Sequence, residues 1–342
     1  MKLIAVAAAA LLGAAAAGQS YDWSEATGEF TQGFEESKAI CRALKAKEPP
    51  RADRPDAKAV AALRGCDSEA LYYGIGMKAD PVKARQCAFL ERDAGDDGVF
   101  GGSIMLMTIY ANGVGARRDL DVATHLACGI EGAPFESDGR VRHLAGAKME
   151  GWTGSDFHFC DDVTSGLAMG YCAGHHERID TARRAAALAV LMRGWTPAER
   201  QAFAPLQKAR DAWVDAHGGG EVDLSGTARA AMQIGAEEAA REAFTEMLRR
   251  LSTGRAPRYT SAQYRAADAA LNAAYRKAIR EADTGRGIGA VTQVGIRDAQ
   301  RAWLRYRDAF VAFAKLKWPG VPSDSLAAWL TIERTKMLQG EE

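Results

Sequence analysis

The side chains best suited to chemistry lie in one short stretch. His158, Cys160, Cys172, His175 and His176 are ligand types for zinc, which takes imidazole nitrogen and thiolate sulfur at tetrahedral sites. Their spacing matches no recognised finger, and no His-Glu-X-X-His occurs. In an exported chain Cys160 and Cys172 read as a disulfide, so the expectation is no metal. Gly285, Gly287 and Gly289 around Arg286 have the composition of a phosphate loop, but they follow a helix rather than a strand and read as a flexible connection. Ser225 has neither a nucleophile elbow nor an evident base. Asp161 and Asp162 read as solvated or capping residues rather than an acid/base dyad. No cofactor is implied, and an enzyme with an unrecognised site is the weakest of the functional readings.

The elements that must position such residues are helical. Alanine is abundant throughout and no segment sustains a two-residue alternation, so the expected class is all-α: a helical-repeat, solenoid-like N-terminal region followed by helical hairpins or a bundle. Residues 1–17 hold one lysine, an apolar run from Leu3 to Leu12 and a tail of small residues, the form of a secretory signal peptide too short to span a membrane. No later run approaches spanning length, which points to a periplasmic or secreted product. Charge is uneven: residues 18–156 carry 22 acidic and 17 basic side chains, whereas residues 251–320 carry 5 acidic and 13 basic. All six cysteines precede residue 173, so the basic C-terminal region must cohere by packing alone.

Residues 18–55 read as a loose lead-in with a capping helix that stops before Pro49 and Pro50. From 56 to 152 the chain repeats itself. Leu71–Ala84 aligns without gaps on Tyr110–Ala123 at a period of 39, the scale of a helical solenoid. Gly74/Gly76 and Gly113/Gly115 would end one helix of each repeat, and Asp80 and Asp119 would cap the next. The pattern resembles the Sel-one-type repeat, a relative of the tetratricopeptide repeat, which implies a scaffold for a protein partner. In an antiparallel helix pair turning near Met77, Cys66 and Cys87 should face each other; Cys87–Cys128 is the competing pair, and Cys41–Cys128 follows from the first by elimination.

In the last part of the chain, Ile296, Ala299, Trp303, Tyr306, Phe310, Phe313 and Leu316 recur at steps of three and four and form one helical stripe. An earlier helix offers Ala267, Leu271, Tyr275, Ala278 and Ile279, so the two are expected to close as an antiparallel hairpin. Leu271-Asn272 with Tyr275, followed by Gln300, Trp303 and the Arg307-Asp308 pair, resembles the secreted bacterial family of LprI-like lysozyme inhibitors. At an offset of 90, Ala209–Trp213 falls on Ala299–Trp303, and the Cys160/Cys172 pair resembles the one that starts such domains. The resemblance thus implies two copies, a divergent one at 153–253 and a second at 254–342. Asn272, Tyr275 and Gln300 are expected to fix helix register, whereas Trp303, Arg305, Arg307, Asp308, Glu221 and Asp223 are the binding candidates.

Two functional readings lead. One is a non-catalytic interaction protein of the bacterial envelope, holding a protein partner through its repeats and meeting anionic envelope material through its basic end. The other is a lysozyme inhibitor. Common lysozymes are strongly cationic, so residues 251–320 are electrostatically a poor inhibitory face, and interaction ranks first. Neither nucleic acid nor a membrane span is implied. Titration of denatured, unreduced protein is expected to find almost no free thiol among the six cysteines; most of the six reacting would overturn the disulfide reading.

Overall fold

The structure is a computed structural model describing residues 21–95, 98–282 and 287–340. The expected signal peptide, Gly285 and Arg286 lie outside the described residues. Among those described, helix is the only regular structure, and no helix is long and apolar enough to cross a membrane. The chain is all-α.

The N-terminal half comprises α1 (Glu35–Leu44), α2 (Ala57–Ala62), α3 (Ser68–Tyr73), α4 (Pro81–Ala94), α5 (Gly102–Asn112), α6 (Leu120–Cys128) and α7 (Pro134–Met149). From α3 to α7 each helix packs on the next, and α1 closes against α6 and α7. The 39-residue period recurs as geometry. Gly74 and Gly113 take left-handed angles, φ 74° and 65°, that end α3 and α5 without Cβ strain. The amides of Asp80 and Asp119 then donate to Leu71 O and Tyr110 O at 2.8 and 3.0 Å, while their carboxylates cap α4 and α6. Helix α5 is buried from Ile104 to Asn112 and forms the axis of the first core.

Disulfides join Cys41 to Cys128, Cys66 to Cys87 and Cys160 to Cys172, and no described cysteine is free. The first ties α1 to α6. Cys66 sits in the connection before α3 rather than on a helix, and its bond holds that connection against α4. These bonds fit an extracytoplasmic protein.

The second half comprises α8 (Gly166–Leu191), α9 (Pro197–Gly220), α10 (Arg229–Ser252), α11 (Ser261–Glu281), α12 (Gln293–Lys317) and α13 (Ser323–Gln339). Capping boxes at Thr196/Glu199 and Thr260/Gln263 open α9 and α11, whereas α13 follows Pro322 with no side-chain cap. The expected α11–α12 hairpin is corrected. Helix α12 packs along α9, α11 along α13 and α8 along α10, while α11 and α12 meet little. The bundle is therefore two triplets, α8–α10 and α11–α13. In each the first and third helices pair, and the middle helix crosses to the other triplet.

Side-chain size accounts for the exchange. Trp303, Tyr306, Phe310 and Phe313 present a bulky aromatic stripe, and the small Ala267/Leu271/Ala274 face of α11 cannot cover it. Helix α9 supplies Phe203, Leu206, Trp213 and Val214 instead, with the Trp213 and Tyr306 rings stacked 4.8 Å apart. The two helices run antiparallel: Glu199 meets Lys317 at 3.1 Å at one end, and Gly220 lies against Gly295 at the other, where a Cβ on Gly220 would stand 2.9 Å from Gly295 O. One core consequently runs from Trp195 to Leu330, so the boundary expected at 253/254 separates no cores. Leu316, placed on the stripe from sequence, is half exposed, and Ala314 is buried in its stead.

Trp303 is 2% exposed at the centre of this core. Trp303→Ala is expected to cost about 3 to 5 kcal/mol, the range for truncating a buried large aromatic. Chemical denaturation checks it; a midpoint unchanged from the parent would mean that the ring contributes nothing to the core.

Candidate functional site

In the C-terminal bundle the candidate residues divide into a buried clamp and an exposed groove. Arg334 of α13 is 1% exposed, a position a guanidinium holds only when its donors are satisfied. Its Nη1 donates to Glu221 Oε2 at 2.8 Å, Nη2 donates to Glu221 Oε1, and Nε donates to Gln300 Oε1 at 3.0 Å. His217 Nδ1 lies 2.8 Å from the same Glu221 carboxylate. Burial pushes the Glu221 pKa up, but the His217 hydrogen bond and the Arg334 charge outweigh it and hold the carboxyl below its ordinary range. Glu221, expected to bind a partner, is thus a structural anchor with no free oxygen to offer. Gln300, expected to fix helix register, is placed by this bond against α13 rather than α11.

The remaining candidates lie near the surface or in the core. Trp303 is buried and Arg307 lies over its ring, 5.4 Å from the centroid, while pairing with the exposed Asp308 at 2.8 Å. Trp303 is therefore no contact residue in this state. Arg305 is exposed, and Asp223 is an exposed turn residue accepting from the Ser225 amide at 2.9 Å. Asn272 is exposed, and its amide donates back to Asp268 O at 2.8 Å within its own helix; the buried register bond expected of it is absent. Tyr275 is half-buried. Because α12 turns away to α9, it leaves a shallow groove of about 690 Å³ against α11, lined by Arg265, Asp268, Asn272, Arg276, Leu304 and Arg307. Asn272 and Arg307 thereby meet on one surface, with three arginines facing one aspartate.

At the junction of the two halves lies a different cluster. The Cys160–Cys172 bond fastens the 3-10 turn Phe159–Asp162 to α8. Ahead of that turn, Asn112 fixes the extended chain by accepting from Phe157 N at 2.9 Å and donating to Phe157 O at 3.0 Å. His158 is thus set against His175 of α8, with Nε2 to Nε2 at 2.9 Å, and stacks on His176. Asp161 accepts from His158 N, the capping role expected of it. His175 is fully buried; its Nδ1 meets Glu69 of α3, whose carboxylate also accepts from Arg178. Burial, then the His175 and His176 charges, hold His158 down to about 4. Burial also raises the Glu69 pKa, but the His175 and Arg178 hydrogen bonds bring it below its ordinary value.

Compared with known proteins, the C-terminal part finds a counterpart. Residues 250–338 match the family described as Lysozyme inhibitor LprI. The match covers α11, α12 and α13, about a quarter of the chain, and with them Gln300, Arg334 and the arginine groove. It is a family of non-catalytic inhibitors. No curated protein and no solved structure matches the chain.

Two of these contributions were missed from sequence. Arg334 carries no local signal, since its partners lie 34 and 113 residues away. Glu69 reaches His175 from 106 residues away, and only the fold brings them together.

Glu221→Gln is expected to cost about 3 kcal/mol at neutral pH, the lower end for breaking one side of a buried ion pair. The native carboxyl holds its proton less tightly than in the unfolded chain, so its contribution is complete above the ordinary 4.5 and is lost as pH falls through the lower native value. Denaturation of parent and variant across pH should show the gap narrowing below pH 4.5; a gap independent of pH would remove the charge from the account.

Proposed function

We propose that this chain is a non-catalytic binding protein of the bacterial envelope, periplasmic or secreted, whose C-terminal bundle meets its partner through the α11–α12 groove. One coincidence carries the reading: residues 250–338, which match the lysozyme-inhibitor family, also form that groove. Arg265 and Arg276 against Asp268, beside Arg307 already paired with Asp308, make it a mildly electropositive surface, suited to an acidic protein face or anionic envelope material. The two helix triplets, residues 166–252 and 261–339, share one packing scheme, which supports reading the first as a divergent copy of the second. Residues 56–152 are read as Sel-one-type repeats, a scaffold for another protein partner, with 18–55 as their cap.

Lysozyme inhibition is the second reading, favoured by the family match. A cationic lysozyme is repelled by the groove at long range, yet a glycosidase cleft presents a pair of carboxylates to which an arginine could bind. Ionic strength separates the two, because exposed charges are screened over about 8 to 10 Å near physiological salt. The full-length protein is expected to bind vesicles rich in phosphatidylglycerol at low salt and to release them near physiological salt, with Arg265→Glu/Arg276→Glu abolishing the binding. If lysozyme instead binds with an affinity that holds or rises with salt, and the same variant weakens it tenfold, inhibition becomes the primary function. Loss of neither interaction in the variant would remove the groove from both readings.

A further inference from the structure

The histidine cluster at the junction of the two halves has features that neither the groove nor the family match uses. His158, His175 and His176 each bring a ring nitrogen to one place, all within 4.8 Å of one another. No ligand spacing is visible in sequence because the three arrive from two segments, the turn before Phe159 and α8, joined by the Cys160–Cys172 bond. With both cysteines oxidised, the donor set is three imidazoles.

His175 is oriented as a ligand. Its Nδ1 faces the Glu69 carboxylate, an acceptor only, so Nδ1 carries the proton and the lone pair of Nε2 points toward His158. A carboxylate behind a histidine is the recurrent outer-sphere arrangement of metal-binding imidazoles, where it fixes tautomer and ring direction. The ring is held on its faces as well. Phe100 stacks on it at 4.1 Å and Tyr73 meets it edge-on at 4.6 Å. Phe100 has φ 68°, the single positive value of a non-glycine among the described residues, so a strained backbone places that ring. His176 is exposed and leaves the cluster open to solvent on one side.

We propose that His158, His175 and His176 bind one divalent transition-metal ion of the zinc class, with a solvent molecule completing the coordination. Three imidazoles without thiolate or further carboxylate suit zinc or copper(II) rather than magnesium or calcium, which require oxygen donors. Binding through His158 Nε2 needs a change of tautomer. In the metal-free arrangement His158 Nδ1 accepts from the Cys160 amide at 3.1 Å and Nε2–H donates to His175. On binding, the proton moves from Nε2 to Nδ1 and the Cys160 amide gives up that acceptor. The ion thus replaces one cap hydrogen bond and the His158–His175 bond with two coordination bonds.

Calorimetric titration of the full-length protein, carrying no histidine tag and stripped with chelator, tests the site with zinc chloride at pH 7.5. One ion per chain is expected, and cobalt(II) should give the visible absorption of a tetrahedral centre. His176→Gln changes an exposed residue, so the metal-free melting temperature should stay with the parent, while zinc affinity falls tenfold or more and the cobalt band is lost. Glu69→Gln should weaken binding about 10- to 100-fold, as removal of an outer-sphere carboxylate does. Absence of zinc binding, or binding left unchanged by His176→Gln, overturns the proposal. In the first case the cluster is a hydrogen-bonded chain fastening α8 to α3; in the second the ion lies at another of the six histidines.

Discussion

The C-terminal bundle depends on one constraint, the burial of the Arg334 guanidinium. A cation withdrawn from water must find charge and acceptors, and here they come from the end of α9 through Glu221 and from α12 through Gln300. Three helices can satisfy it only if α13 lies where both can reach, and this places α13 in the bundle interior, buried from Ser325 to Thr331. The aromatic stripe of α12 faces α9 for the same reason that Glu221 reaches Arg334: the two helices cross at Gly220 and Gly295, where neither backbone carries a Cβ to hold them apart. Apolar packing and the ion pair therefore specify the same arrangement, and each would be strained by the hairpin that sequence periodicity favoured.

This shows where the sequence was legible. Periodicity identified the apolar faces of α11 and α12, because burial of a stripe is a local property of a helix. It could not identify their partners, since any two complementary stripes satisfy the same pattern and side-chain bulk decides between them. The 39-residue repeat was readable down to individual caps because Gly74, Gly113, Asp80 and Asp119 act within a few residues of themselves. Asn272 and Glu221 exchanged roles for the opposite reason. An asparagine beside an apolar seam bonded its own helix, and a glutamate in an apparently exposed loop was claimed by an arginine 113 residues on.

The family match and the fold speak about different extents of chain. A match to residues 250–338 describes the second triplet, yet α12 buries its stripe on α9, which lies outside the matched segment. The matched triplet here is completed by a neighbouring helix in the same chain. Its exposed groove is a by-product of that completion, because α12 leaves α11 uncovered when it turns to α9. Exchange of the middle helices between the two triplets thus both supplies a partner for the stripe and leaves a basic surface.

Helix α8 is shared by the two halves, since Cys172 belongs to the first core and Leu188 and Leu191 pack on the second. Its first turns are held by a disulfide, by Glu69 against His175 and by Arg178, and its later turns by Arg184 against Glu238 at 2.8 Å. The Arg184–Glu238 pair is mostly buried, so it resists salt better than surface pairs do. Orientation between the acidic repeat region and the basic bundle is therefore set by α8 rather than by attraction between their net charges. Long-range attraction falls with ionic strength, whereas a covalent and hydrogen-bonded helix root does not. The histidine cluster is seated at the root of α8, where the helix is fastened to the first core.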